Sequence, residues 1–525
     1  MALHVLLAPQ SDTPMNHIDV LIVGAGPTGL VLALWLTRQG VSVRIIDKSQ
    51  GPGETSRAMA IQARTLELYR QLDIAEEVIA AGYKMPAMNM WARGEPKARI
   101  PLQNAGKSIS PYPFVLVLPQ DIHEKLLIAR LNTAGVDVER QTEFMSFREE
   151  GDNVVATIRT PTGQTEICTA TYLAGCDGAH SSVRHQMGSD FEGGTYNHLF
   201  YVADVLASGV TPANEGHIAF DKSDFVLVMP YGPEHQYRLI GTVESEEGDR
   251  QQHAFDDVSQ RAISGLGLSI QQVNWFSTYR VHHRVTNHFR DGRAFLLGDA
   301  AHVHSPAGGQ GMNTGIADAI NLAWKLAAVI KNRAPETLLD SYETERKAFA
   351  HKLVKTTDRV FTFVTVAGGF ADYVRTHIAP AIASQAYQYG RVREYLFRII
   401  SQTTMSYLDS PLSEGKAGEI SAGDRLPYVA GGETDNYASL RKIAWQIHIY
   451  GRATEDVRNW CDRHSMDWQV FPWQEAFEKR GFKKDTAYLI RPDGYIGLVA
   501  AERHAERLSA YISRLGIQRA LLLKH

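Results

Sequence analysis

Hydrophobic and polar positions sort this chain into stretches of different period. The first is Ile18–Val23, apolar apart from Asp19, followed by the turn Gly24-Ala25-Gly26-Pro27-Thr28-Gly29, a helical pattern over about 28–39, a stop at Gly40 and an apolar strand over 41–47. This is a βαβ unit whose strands need cover on both faces, as in a parallel sheet. The spacing predicts helices over 61–80 and 120–134, a hairpin of 154–160 with 166–171, and a buried strand over 172–176. From 191 to 290 the pattern turns strand-like and rich in aromatics, with strands over 225–230 and 237–243, which predicts a mostly antiparallel sheet inserted into the first unit. A short apolar strand over 294–297 returns to the parallel sheet. A helix over 312–331 then carries Ile316, Ala319, Ile320, Ala323, Ala327 and Ile330 at helical spacing. Residues 340–415 read as helices broken at Gly368-Gly369. From about 420 a separate module begins, with strands over 444–449 and 486–490, helices over 456–464 and 501–515, and a Pro492-Asp493-Gly494 turn.

Composition narrows the class of partner. The chain has 525 residues, 44% hydrophobic and 21% charged, with a formal net charge of -4. That length allows two to four domains at roughly 150 residues each. The near-neutral balance gives no electrostatic reason for nucleic acid or anionic lipid, which leaves a small-molecule substrate. The three cysteines, Cys168, Cys176 and Cys461, form no C-x-x-C pair, so neither a disulfide framework nor a metal site is expected and a reducing cytoplasm fits. Residues 1–17 read as a disordered leader, with Met15 as an alternative start, and no apolar run is long enough to span a membrane.

Three glycine- and acid-bearing segments carry the chemistry. In Gly24-x-Gly26-x-x-Gly29 the glycines allow a tight turn, close approach of a pyrophosphate and close packing of helix on strand, and Asp47 at the end of the next strand is placed for ribose hydroxyls. In the second segment, Asp177-Gly178 follows the strand over 172–176. Asp177 or Ser181 there reads either as a helix cap or as a cofactor contact. The third runs from Gly298-Asp299-Ala300-Ala301-His302 through Pro306-Ala307-Gly308-Gly309-Gln310-Gly311-Met312-Asn313. An aspartate at a strand end beside a glycine-rich helix start suits a ribityl chain and the electron-rich end of a flavin ring.

In this order and spacing, the three segments resemble the single-component FAD-dependent aromatic hydroxylases of the para-hydroxybenzoate hydroxylase and phenol hydroxylase class. The likeness covers 18 to about 350 and includes Ser56-Arg57-Ala58 and Ala63-Arg64-Thr65-Leu66-Glu67. Gly423-Asp424-Arg425-Leu426-Pro427 and Ile490-Arg491-Pro492-Asp493-Gly494 are similar to the thioredoxin-like C-terminal domain of the larger members. With only Cys461 in that module, the expected role there is structural. The resemblance implies an α/β fold: a Rossmann-like FAD-binding domain (18–190 and 291–345), an inserted mostly antiparallel substrate domain (191–290), a helical middle segment (346–419) and a thioredoxin-like α/β domain (420–525).

Carried over residue by residue, it implies that Gly24, Gly26, Gly29 and Asp47 bind the ADP half of FAD and that Arg57 and Gln120 contact pyrophosphate and ribityl. Asp177 and Gly178 would serve FAD and the nicotinamide cofactor, and Asp299 the ribityl hydroxyls. Pro306 would sit beside the reactive flavin carbon, with Gly311, Met312 and Asn313 cradling the isoalloxazine. The implied reaction uses NADPH or NADH as a transient reductant, and O2 to form a flavin C4a-hydroperoxide that hydroxylates a phenolic or other electron-rich aromatic, polyketides included. Tyr231 is the candidate for orienting or deprotonating a phenol, against a plain core aromatic. Arg280 is weighed as a contact for an acidic substrate against a structural pair, and His302 as a packing residue. A Baeyer-Villiger oxygenation, other flavin redox chemistry and a non-catalytic flavin scaffold are the competing readings, and a homodimer stays open.

Overall fold

In the computed structural model, the described residues are 17–53, 58–221, 224–232, 235–243, 254–258, 260–305, 309–365, 389–431 and 435–517. Residues 1–16 of the expected leader over 1–17 and the expected break at Gly368-Gly369 lie outside them. Strand Ile18–Val23 sits centrally in an eight-stranded sheet, parallel to Val43–Ile46 on one side and to Thr165–Gly175 on the other. Val138–Glu139 extends the sheet beyond Val43–Ile46, and Ala294–Leu296 adds a further parallel strand beside Thr165–Gly175. The central strand reads almost wholly apolar because helices cover the sheet, and its residues join one core with helices Pro27–Arg38 and Gly311–Ile330.

Two sequence expectations change here. The hairpin arm over 166–171 and the strand over 172–176 are one element, Thr165–Gly175. It pairs antiparallel with Asn153–Arg159 through Ala170 and parallel with Ile18–Val23 from Ala170 onward. The helix expected over 61–80 is two, Ala63–Gln71 and Ala75–Ala81, because Asp73 takes a left-handed backbone (φ 60°) between them.

The second eight-stranded sheet is built on two 18-residue strands, Phe191–Ser208 and Ser269–Thr286, paired antiparallel along most of their length. Gln236–Val243, Asp224–Pro230 and Gly216–Asp221 continue it antiparallel. The sheet then recruits Ala87–Ala92, in parallel with Gly216–Asp221, and Glu95–Pro101 beyond it. Residues 87–101, placed by sequence within the nucleotide-binding range, therefore belong to the inserted sheet. At the opposite edge His302–Val303, directly after the Gly298-Asp299 segment, pairs with Arg284 and Val285. The cofactor segment and the inserted sheet thus share a backbone ladder.

The C-terminal module has a four-stranded sheet in the order Asp467–Phe471, Gln446–Tyr450, Ala487–Ile490, Ile496–Ala500. Its first two chain segments are parallel, connected through helix Glu455–His464, and Ala487–Ile490 is antiparallel to both its neighbours. Its core is continuous with helix Gly311–Ile330 through Trp324 and Ala328. The turn read as Pro492-Asp493-Gly494 is the plug that holds the module in place. Arg491, fully buried, meets Glu345 at 2.6 and 3.0 Å and Asp493 at 2.6 and 3.0 Å. Trp324 Nε1 donates to Asp493 (3.1 Å), Arg64 to the Asp493 carbonyl (2.6 Å) and Gln71 to the Pro492 carbonyl (3.2 Å). Lys325 completes the cluster at 2.9 Å from Glu345. Buried charges of this kind persist only when every one is paired and hydrogen-bonded.

Candidate active site

The first glycine turn is shaped by what a side chain would strike. Gly24 has φ +104°, and a Cβ there would lie 2.3 Å from the Cys176 carbonyl oxygen. A Cβ on Gly29 would lie 2.0 Å from the Gly24 carbonyl oxygen, while one on Gly26 would meet nothing within 4 Å. Two of the glycines therefore let strand and helix close up, and the third leaves space over the start of helix Pro27–Arg38. That helix start carries no side-chain cap, so its N–H groups are available to an anion.

Asp47 lies at the mouth of the same turn. It accepts hydrogen bonds from Ala25 N and Ser49 N, both at 2.7 Å, and Arg140 stands 3.7 Å away. Arg140 also donates to Ser49 Oγ and the Gly51 carbonyl at 3.2 Å, and its buried Nη2 has no partner among the described residues. An orphaned guanidinium nitrogen beside an open glycine is what the phosphate and ribose end of a dinucleotide would satisfy. The Gln120 side chain donates to Glu124 (2.7 Å), which also accepts from Gly53 N (3.2 Å). Burial raises the pKa of Glu124 despite those bonds. Gln120 N meanwhile donates to the Ala58 carbonyl (3.1 Å), fastening the segment that follows Arg57. Arg57 and Pro306 lie outside the described residues.

Asp177 bonds to the start of the next helix, as one of the two sequence readings had it. Its carboxylate accepts from Ser181 Oγ (2.6 Å), Ser182 N (2.7 Å) and Val183 N (3.2 Å), at the start of helix Ser182–Gln186. The side chain expected to serve FAD and nicotinamide is thus occupied with the helix start. Its neighbour Gly178 (φ +79°) borders open space.

The third segment converges on the first. A Cβ on Gly298 would lie 2.7 Å from Thr28 Oγ1, and one on Gly315 would lie 2.3 Å from the same atom and 3.2 Å from Gly298 Cα. Thr28 belongs to the glycine fingerprint, so the two distant motifs touch through one hydroxyl and two glycines. Asp299 is exposed between the buried Gly298 and Ala300. Helix Gly311–Ile330 begins without a side-chain cap, and the N–H groups of its first turn, at Gly311, Met312 and Asn313, precede the first intrahelical bond at Thr314.

The Asn313 side chain is bonded within the protein, while its backbone N–H belongs to the helix start. Its Oδ1 accepts from Gln62 N (3.0 Å) and Thr65 Oγ1 (2.7 Å), and its Nδ2 donates to the Ala60 and Gly309 carbonyls (2.8 and 3.0 Å). With all four bonds made to protein, the side chain clamps residues 60–65 onto the helix start. Only its backbone remains for an isoalloxazine.

Asp318, which the sequence reading passed over, organises this region. It accepts from Gly298 N (2.9 Å), His302 Nε2 (2.7 Å) and Arg346 Nε (2.5 Å), all buried. Burial pushes its carboxyl up, but Arg346 and His302 more than offset that and hold its pKa below the usual value. His302 is accordingly a hydrogen-bonded packing residue. In the sequence Asp318 lies on the side of the helix opposite the stripe of Ile316, Ile320, Ala323 and Ala327, which reads as a solvated face, although the helix is buried all round.

On the substrate side, Tyr231 packs against Met59, Met85 and Val117, with Arg238 5.8 Å from its ring centroid. Arg238 is buried and paired with Asp204 at 2.6 and 2.7 Å. Burial, with Asp204 adding to it, raises the Tyr231 pKa, which suits a hydrogen-bonding phenol rather than a base. Arg280 faces Leu199 in the long ribbon and is half-buried. Among the described residues no three His, Cys, Asp or Glu side chains group as a metal site, and no helix is long and apolar enough to cross a membrane.

A glycine-turn βαβ unit, a second glycine-aspartate segment packed on it and the apolar cluster of Met59, Met85 and Val117, against which Tyr231 packs, are parts that a flavin-binding oxygenase requires. The chain belongs to the FAD-binding-domain family, whose profile matches residues 17–357, and it stands among the FAD-dependent aromatic monooxygenases. It is 35% identical to the 6-methylpretetramide 4-monooxygenase of Streptomyces rimosus, over 97% of this chain and 95% of that one. It is 31% identical to the pentachlorophenol 4-monooxygenase of Sphingobium chlorophenolicum, over 78% and 75% of the two chains. Among solved structures, the rebeccamycin biosynthetic enzyme RebC with reduced flavin superposes with a TM-score of 0.78 at 25% identity, covering 96% of this chain and 99% of that one.

Proposed function

We propose that this protein hydroxylates a phenolic or other electron-rich aromatic, with polyketides in its range, using FAD, O2 and NADPH or NADH. The observation that carries this is the contact of Gly298 and Gly315 with Thr28, because it joins a dinucleotide turn to a second segment suited to the flavin half. When bound, FAD supplies electron transfer from the nicotinamide and activation of O2.

The chain's own residues do the rest. The start of helix Pro27–Arg38 and Arg140 would hold the pyrophosphate, while Asp47 and Asp299 would accept the ribose and ribityl hydroxyls. The backbone of Gly311 and Met312 would meet the polar edge of the ring. Met59, Met85 and Val117, a buried apolar cluster beside Tyr231, would exclude water from the aromatic's side of the site and so strengthen every polar contact made there. Tyr231, kept protonated by burial, would donate to or orient the substrate oxygen. The C-terminal module is read as thioredoxin-like on its sheet order and its antiparallel third strand. Its Cys461 thiol, pushed up to about 12 by burial, supports a structural rather than redox role. The three unpaired cysteines support a reducing compartment.

The test is NAD(P)H oxidation by the FAD-loaded protein across a panel of phenols and polyketides, with product mass measured under labelled O2. Stimulated oxidation with one labelled hydroxyl in the product is the expected result. No stimulation by any aromatic would overturn the reading, and label in an ester oxygen would assign a Baeyer-Villiger reaction instead.

A further inference from the structure

A cleft of about 360 Å³ opens where three parts of the chain meet, away from the glycine turns. Ser108 and Ile109 contribute from the FAD-binding domain, Arg398 and residues 403–406 from the middle segment, and residues 419–428 and 479–480 in part from the C-terminal module. Three guanidiniums line it: Arg398, Arg425 and Arg480. Arg425 is only 8% exposed. Its Nη1 meets Glu67 at 3.0 Å and its Nη2 donates to the Ile109 carbonyl at 3.1 Å, but its Nε is buried with no acceptor among the described residues. Arg398 and Arg480 are half-buried, and neither has a carboxylate at ion-pair distance among the described residues.

The carboxylates around Arg398 and Arg480 are Glu419, Asp424 and Glu394, and none of them stands at ion-pair distance from either guanidinium among the described residues. Of the lining acids, Glu419 is exposed, and Asp424 is half-occupied by Ser421 N (2.8 Å), with its pKa raised by burial. Glu394, behind the cleft, accepts from Ser108 Oγ (2.6 Å), and Lys479 at the rim is paired with Glu475 (2.7 Å). Burial holds the pKa values of Arg398 and Arg480 below the usual value; Glu394 works against that in both, while Arg425, joined by Arg398 in the case of Arg480, adds to it. The buried Arg425 Nε and the two guanidinium forks without a directly bonded carboxylate leave donors for an anion, and such forks match phosphate oxygens in geometry. Thr403, Thr404 and Ser406 add hydroxyl donors, and the volume suits a small ligand.

We propose that this cleft binds a phosphate or pyrophosphate group, as the free anion or as part of the nicotinamide dinucleotide. Its wall is shared with the flavin helix: Gln402 donates to Thr314 Oγ1 (3.0 Å) at the start of Gly311–Ile330, and the Ser401 carbonyl accepts from Arg64 N (3.2 Å). A ligand ordering residues 403–406 is therefore one short segment from the cofactor site.

The experiment is titration calorimetry of FAD-loaded protein, whose flavin phosphate site is already filled, with pyrophosphate at low and high salt. Arg398→Gln, Arg480→Gln and the double variant are compared with the native chain. The native protein should bind one pyrophosphate with an affinity that falls with salt. Each single variant should bind about tenfold more weakly, and the double variant should show no binding. A KM for NADPH and NADH that rises in the same variants assigns the group to the dinucleotide, and unchanged KM values assign a free anion. No pyrophosphate binding by the native protein, or equal binding by the double variant, overturns the proposal.

Discussion

Adding one methyl group at Gly315 tests whether the two cofactor segments meet at Thr28. The new Cβ would lie 2.3 Å from Thr28 Oγ1 and 3.2 Å from Gly298 Cα, against a side chain that is β-branched and stiff at χ1. Overpacking of this kind costs about 1–3 kcal/mol, and the better helix propensity of alanine offsets about 1 kcal/mol of it. Gly315→Ala should therefore be modestly destabilised and should bind FAD more weakly, since the strain falls on Gly298 beside Asp299. Thr28→Ala removes the hydroxyl and leaves Cβ 3.6 Å from the new methyl, an ordinary contact. In the Thr28→Ala background the same substitution should then become neutral or stabilising. Thermal unfolding of the four proteins, with FAD affinity by flavin fluorescence, should give a coupling of about 1–3 kcal/mol. Additivity within about 0.5 kcal/mol would refute the contact and the convergence built on it.

Three further outcomes follow from the buried charges and the substrate wall. Asp318→Ala leaves Arg346 buried without its carboxylate and should cost about 3–5 kcal/mol, with Asp318→Asn milder; an unchanged melting temperature of the FAD-free protein would contradict the role given to Asp318. His123 and His448 are fully buried and pushed down to about 3 by burial, so both are neutral in the folded chain and gain protons on unfolding. Because the folded pKa values are depressed, stability is complete above about pH 6.5 and is lost as pH falls toward 3, by about 2 kcal/mol per histidine between pH 7 and pH 5. His448→Gln should flatten that slope in unfolding measurements across pH, and an unaltered slope would count against the assignment. Tyr231→Phe should lower kcat/KM by about tenfold at normal FAD content while leaving the pH profile's shape intact. An ionisation lost from the profile would instead make Tyr231 a base.

The nucleotide-binding unit was legible because its signals are local. Gly24, Gly26 and Gly29 sit within one turn, and Ile18–Val23 is apolar for a reason that the strand carries in itself. Breaks were harder: the helix pattern over 61–80 is continuous in polarity, and only the left-handed Asp73 divides it. Polarity alone did not show that the Asn313 and Asp177 side chains bond to the protein, Asn313 clamping residues 60–65 and Asp177 the start of helix Ser182–Gln186. The strands over 87–101 join a sheet whose neighbour, Gly216–Asp221, lies far along the chain, so no local pattern could assign them to it.

By itself, then, the sequence determined the βαβ unit, the flavin-type motifs, the inserted sheet and a C-terminal module without paired cysteines, because each depends on residues within a turn or two of one another. Tertiary structure alone decided that Asp318 joins Gly298, His302 and Arg346, and that Glu345 and Arg491 lock the C-terminal module to the cofactor helix. A charged side chain reads as solvated until its partner is known. These partners come from distant segments, and folding alone takes them out of water together.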